Sequence, residues 1–144
     1  MENITDKGID QTKLKSLAEF RFQMRKFLSF SEVASERSGI PAQQYQLMQV
    51  IAAMPEGQQA SITYLAERMI LRHNSTVELV DRAERAGLVQ RASDPSDMRR
   101  SLVQLTPAGQ AILYPLIAEH LNELAPRCER LIRALHDLQD ASKS

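Results

Sequence analysis

The chain has 144 residues, 43% of them hydrophobic and 25% charged, and its formal net charge is zero. That length buries about 68–70% of the surface an unfolded chain exposes, enough for one compact domain or one domain plus a helical extension, while whole-molecule charge gives no argument for nucleic acid. The lone cysteine, Cys128, excludes an intrachain disulfide and a thiolate zinc cluster; no apolar run approaches the roughly 18 residues of a membrane span, and MENITDKGID has no apolar signal-peptide core, so a cytoplasmic location without membrane contact is expected.

Residues 1 to about 10 are polar and expected to be loosely held. From about Thr12 to Ser38 the pattern is helical: Leu14, Leu17, Met24 and Leu28 form one stripe and Phe20, Phe27 and Ala34 a second. Two apolar stripes on one helix call for burial on more than one face, and a second subunit is one way to provide it. Gly39 is a stop, and Pro41 suits the start of a helix whose face is Tyr45, Met48, Ile51 and Ala52, closed by Pro55. Ser61 can cap a short helix from Ile62 to about Met69, with Leu65 and Ala66 inward. The next helix starts about four residues later. Two short helices around a tight turn make a helix-turn-helix candidate.

In the second of these helices Ser75 and Glu78 have the spacing of a capping box. Val77, Leu79, Val80, Ala83 and Ala86 fall on one half of the helical wheel; Ser75, Glu78, Asp81, Arg82 and Arg85 fall on the other. Gly87 ends the pattern. Strand-like runs follow at Leu88–Ala92 and Ser101–Leu105, separated by the turn-rich SDPSDMRR. A hairpin with arginines at its tip, directly after a helix-turn-helix, is a wing. Thr106 can cap and Pro107 start a helix carrying Ile112, Leu116 and Leu121, with a kink near Pro115, where a backbone donor is lost. Pro126 marks a boundary before a last helix with Cys128, Leu131, Ile132, Leu135 and Leu138 on its apolar stripe.

From Arg68 to Arg100 seven arginines (68, 72, 82, 85, 91, 99 and 100) stand against five acids (Glu78, Asp81, Glu84, Asp94 and Asp97), a surplus of two before His73 is counted. A solvated mixed-charge surface fits that count equally well. Enzymatic readings find little. His73, His120 and His136 belong to no HExxH pattern, and the Ser, His and Asp residues form no nucleophile motif. No cofactor or metal is expected. A winged helix serving only as a protein-interaction module is the alternative function.

The segment SITYLAERMILRHNSTVELVDRAERAGLV with the wing DPSDMRRSLVQLTPAG resembles the multiple-antibiotic-resistance regulator (MarR) family of bacterial transcription factors. The matching text is Ser75-Thr76-Val77, Leu79-Val80-Asp81-Arg82, Gly87-Leu88-Val89, Asp97-x-Arg99 and Leu105-Thr106-Pro107-Ala108-Gly109, in order over about a third of the chain. Ala83, where the family commonly has Leu, departs from the pattern. The resemblance implies a mainly α, α+β winged-helix fold: a tail and first dimerisation helix over 1–38, a winged helix-turn-helix over 39–106, and C-terminal dimerisation helices over 107–144. It implies a homodimer reading pseudo-palindromic double-stranded DNA with half-sites roughly 34–36 Å apart, the second helix of the motif in the major groove and the wing arginine in the minor groove. A repressor released by a small ligand is the expected regulator.

Arg72, His73, Asn74, Ser75 and Thr76 fall at the start of the reading helix, where the helix dipole and free N–H groups favour phosphate. Arg72 and Asn74 suit guanine and adenine edges. Glu78 is read as completing the capping box in preference to touching a base. Arg82 and Arg85 reach phosphate or pair with Glu78, Asp81 or Glu84. Arg99 is the first choice for the minor groove, with Arg100 beside it. Asp97 orients the tip, and Asp81 or Asp97 pairs with Arg99 when DNA is absent. The resemblance also implies a small effector, often an aromatic acid or phenol, for which Phe20, Met24, Phe27, Tyr45 and Met48 are candidate lining residues, although their spacing is equally that of core. Cys128, on an apolar stripe, is read as packed.

Overall fold

Breaks in the sequence fall close to where the elements end. The computed structural model describes residues 11–143, and the segment 1–10 expected to be loosely held lies outside them. The order is α1 (Gln11–Arg37), α2 (Ala42–Ala52), β1 (Ala60–Ser61), α3 (Ile62–Met69), α4 (His73–Arg85), β2 (Val89–Asp94), β3 (Asp97–Leu105), α5 (Pro107–Leu124), a short 3-10 turn (Ala125–Arg127) and α6 (Cys128–Lys143). A mostly helical chain with one small three-stranded sheet is the winged-helix class expected. The chain divides into two units, residues 34–118 and the residues before 34 with those from 119 on.

In the 34–118 unit, α2 buries Tyr45, Leu47, Met48 and Ile51, α3 buries Leu65, and α4 buries Leu79, Val80 and Ala83. Each fully buried Leu or Val side chain contributes roughly 1.5–3 kcal/mol, so these faces fix how the three helices meet. Ala52 and Ala86, both placed inward by periodicity, are exposed, and Leu47 takes an inward place on α2. Ser61 caps α3 as the sequence indicates: its hydroxyl accepts from the Tyr64 N–H at 3.1 Å.

The sheet order is β1-β3-β2, antiparallel, with Ala60 opposite Val103 and Arg91 opposite Val103 from the other side. The wing strands are longer than the apolar runs suggest. Pairing continues to Ser93 opposite Ser101; the register then shifts, so that Asp94 stands opposite Asp97 around the Pro95–Ser96 turn and Met98, Arg99 and Arg100 bulge out of the ladder. The Asp94 carboxylate makes this possible by accepting from Ser96 N–H at 2.9 Å and Ser96 Oγ at 2.7 Å. The same two bonds hold its carboxyl below the ordinary aspartate range.

Gly87 adopts φ +77°, the left-handed conformation that ends α4 and turns the chain into β2. The far end of the wing is tied to the same place. Thr106 N–H donates to the Leu88 carbonyl at 3.0 Å and Thr106 Oγ1 donates to the Gly87 carbonyl. Thr106 Oγ1 also accepts from Gly109 N–H at 3.0 Å, capping α5 as expected. Gly109 packs so closely that a Cβ there would stand 2.1 Å from the Leu88 oxygen. Helical structure continues through Pro115 to Leu124.

In the other unit, His120 is buried with its Nε2 2.8 Å from Ser31 Oγ, and its ring meets Phe27 and Phe30 edge-on at centroid distances of 6.0 and 5.4 Å. Leu14, Leu17, Phe22, Leu28, Leu121 and Ile132 remain 45–62% exposed. Cys128 is half-buried.

Candidate nucleic-acid interface

The start of α4 differs from the capping-box reading. The helix begins at His73, with Arg72 as N-cap in an extended conformation (φ −66°, ψ 154°) and making no side-chain cap bond. The first backbone bond runs from Thr76 N–H to the Arg72 carbonyl at 3.0 Å. Ser75 therefore lies inside the first turn, not at the cap, and Glu78 is exposed rather than folded back. The Ser-x-x-Glu spacing misleads because the turn after α3 delivers the chain in helical register earlier. Ile70 makes that turn in the left-handed region at φ 54°, ψ 49°.

One consequence is an N-terminus whose leading N–H groups have no acceptor in the helix. Around it Arg72, His73, Asn74 and Ser75 are exposed. Thr76 is not: it is fully buried and its hydroxyl donates to the Arg72 carbonyl at 2.9 Å. It anchors the turn and drops out of the set that presents side chains to a ligand. Arg82 is exposed toward the other end of α4.

At the wing tip the Arg99 side chain is 91% exposed. Asp97 orients it, accepting from Arg99 N–H at 3.1 Å and Arg99 Nε at 3.2 Å. These bonds hold the Asp97 carboxyl below its ordinary range. Of the two partners considered for Arg99, Asp97 is the one used; Asp81 is engaged elsewhere. Arg100 is exposed beside it. A hollow of about 250 Å³ brings the two regions together, lined by Ser61, Ile62 and Thr63 of the α3 start, His73 and Val77 of α4, and Arg91, Arg99, Arg100 and Ser101 of the wing.

Sequence reading assigns Arg91 no role, yet it is the residue that joins these regions. Its Nη2 lies 2.7 Å from Asp81 Oδ1 and its Nη1 3.0 Å from Glu84 Oε1. Its backbone N–H donates to Glu84 Oε2 at 3.0 Å. Asp81 and Glu84 are thus taken by the wing, and among the described residues neither pairs with Arg82 or Arg85. The available signal was strand parity. Val89 is buried, and Arg91, two residues on, shares its face.

The five candidate effector residues separate. Tyr45 and Met48 are core of the 34–118 unit, 2% and 0% exposed, and burial raises the Tyr45 hydroxyl above its ordinary range. Met24 and Phe27 line an apolar hollow of about 170 Å³ with Leu28, Leu124 and Leu131. Phe20 is half-buried and outside that lining.

Comparison with known proteins gives a consistent picture. Residues 38–100 match the model of the MarR family. The chain is 33% identical over 89 residues to a putative transcriptional regulatory protein for the hcr operon of Thauera aromatica, covering 62% of this chain and 52% of that one. It is 39% identical over 74 residues to the transcriptional regulator HosA of Escherichia coli O111:H-, covering 51% and 53%. The chain therefore spans about half the length of the curated relatives it matches. In three dimensions it is similar to a MarR family transcription regulator, SP03579, with a TM-score of 0.75 at 23% identity over 98% of this chain and 93% of the other.

Proposed function

We propose that the chain, whose residues 38–100 match the model of the MarR family, is a transcriptional regulator that binds duplex DNA sequence-specifically as a homodimer. In this reading α4 enters the major groove and the β2–β3 tip enters the adjacent minor groove. The observation that carries it is the pairing of two exposed basic regions around one hollow: the uncapped α4 start with Arg72, His73, Asn74 and Ser75, and the wing tip with Arg99 and Arg100. The α4 start supplies backbone donors and a positive dipole end for phosphate. Arg72 and Asn74 have the donor patterns that read guanine and adenine in the major groove. Arg82 supplies phosphate contact further along α4. Arg99 is the minor-groove side chain, its guanidinium already extended and aimed by Asp97.

Dimerisation is supported by the apolar side chains left exposed in the unit that contains most of α1 and α6, Leu14, Leu17, Leu28 and Leu121 among them. A two-fold protein implies a pseudo-palindromic operator. Repression relieved by a small aromatic ligand completes the proposal. It rests on the resemblance, with Met24 and Phe27 the two candidate residues that face an open hollow.

The deciding experiment selects duplexes from a random pool and measures affinity across salt concentrations. DNA binding predicts a log–log slope of about −0.9 for each phosphate neutralised. A slope near zero, or no selected sequence, would overturn the proposal and favour the protein-interaction module.

A further inference from the structure

We propose that Arg91 is a positioning residue that locks the wing to the reading helix, so that Arg99 meets the minor groove at a fixed spacing from α4. The inference rests on the DNA-binding reading and says how that site is held together.

Asp81 and Glu84, three residues apart, lie on the same side of α4. Arg91 lies in the middle of β2. Its guanidinium spans both carboxylates, at 2.7 and 3.0 Å, and its N–H adds a third attachment to Glu84 at 3.0 Å. Such a fork is planar and directional, so it fixes orientation as well as distance. The clamp is also less exposed than the tip it serves: the Arg91 side chain is 24% accessible and that of Arg99 is 91%. Isolated surface ion pairs contribute about 0–1 kcal/mol. A clamp of this kind therefore matters less for overall stability than for where the hairpin points. It also occupies both acids, leaving Arg82 and Arg85 unopposed by them on the same helix.

The rival role for Arg91 is direct phosphate contact from the hollow it lines, and a double-mutant cycle separates the two. Wild type, Arg91→Met, Arg99→Ala and the double variant are measured against duplex selected by the wild type. Methionine keeps the apolar stem and removes the fork. Positioning predicts that Arg91→Met weakens binding roughly tenfold in the wild type, and no more than about twofold once Arg99 is gone, because residues coupled through one network are non-additive. Additive losses with a shallower salt slope in Arg91→Met would identify a phosphate contact and overturn the proposal. A DNA-free measurement stands beside this. The Met98 methyl, at the wing tip, should gain motion by NMR relaxation in Arg91→Met while the buried Met48 methyl does not change. Unchanged Met98 motion overturns the clamp. If the wild type selects no duplex, the DNA-binding reading fails and the methyl measurement still decides the clamp.

Discussion

Replacing Gly109 with alanine sets two effects of opposite sign against each other. Gly109 is in the first turn of α5, and helix propensity alone predicts that alanine stabilises by about 1 kcal/mol. Packing predicts the reverse. The new Cβ would stand 2.1 Å from the Leu88 oxygen, 3.0 Å from its carbonyl carbon and 3.3 Å from its Cα. All three atoms are backbone, held between Gly87 and Val89, so they cannot swing away as a side-chain end would. Relief requires α5 to move by more than 1 Å, about the difference between that separation and an ordinary contact of roughly 3.5 Å. Such a shift also strains the bonds of Thr106 to Leu88 and Gly87. Overpacking costs about 1–3 kcal/mol, and two weakened hydrogen bonds add roughly 1 kcal/mol each. Net of the propensity gain, Gly109→Ala should destabilise by about 2–4 kcal/mol. For a chain of this size that lowers Tm by roughly 5–15 °C. The measurement is urea and thermal unfolding at one fixed protomer concentration, since association shifts apparent stability. A variant as stable as the wild type, or more so, would refute the packing argument.

Arg99→Ala should weaken binding to selected DNA about tenfold while changing stability by less than about 0.5 kcal/mol, because the side chain is 91% exposed; affinity equal to wild type would remove Arg99 from the interface. In the same variant the Asp97 carboxyl, now held low first by Arg99, should titrate nearer the ordinary value of about 3.9 by NMR. Ser61→Ala should cost about 1 kcal/mol by losing the cap on Tyr64 N–H, whereas Ser75→Ala should leave unfolding unchanged and lower DNA affinity. Equal destabilisation by the two would restore Ser75 as a cap. Ile70→Asn should stabilise by about 0.5–1 kcal/mol, since a β-branched residue at φ 54° that is 90% exposed loses strain and no buried contact; a lowered Tm would contradict this.

Where a local rule decided the structure, the sequence showed it. Ser61 and Ile62 bound α3 through one side-chain bond, and Val80 and Ala83 sit where periodicity puts them. The Asp97–Arg99 pairing at the tip is two residues long and equally local. Three features were not legible. The α4 start depends on backbone conformation at Ile70 and Arg72, which overrides a plausible Ser-x-x-Glu cap. β1 has two residues, too few to show alternation, and exists because β3 offers Val103 and Leu102 as partners. Arg91 owes its role to acids on another element, across Gly87, where no single periodicity extends. The reason for glycine at 109 is also non-local, since the clash is with Leu88, on the far side of the hairpin in sequence.

The bond from Arg91 N–H to Glu84 has a bearing on self-association. β2 is an outer strand of the sheet, and outer strands carry unpaired backbone groups that invite another chain to add on. Glu84, on α4, takes the N–H near the middle of that edge. The opposite edge is β1, only two residues long. The open row along β2 is therefore interrupted near its middle. By occupying that N–H, Glu84 removes one of the donors through which a strand of another chain would pair with β2.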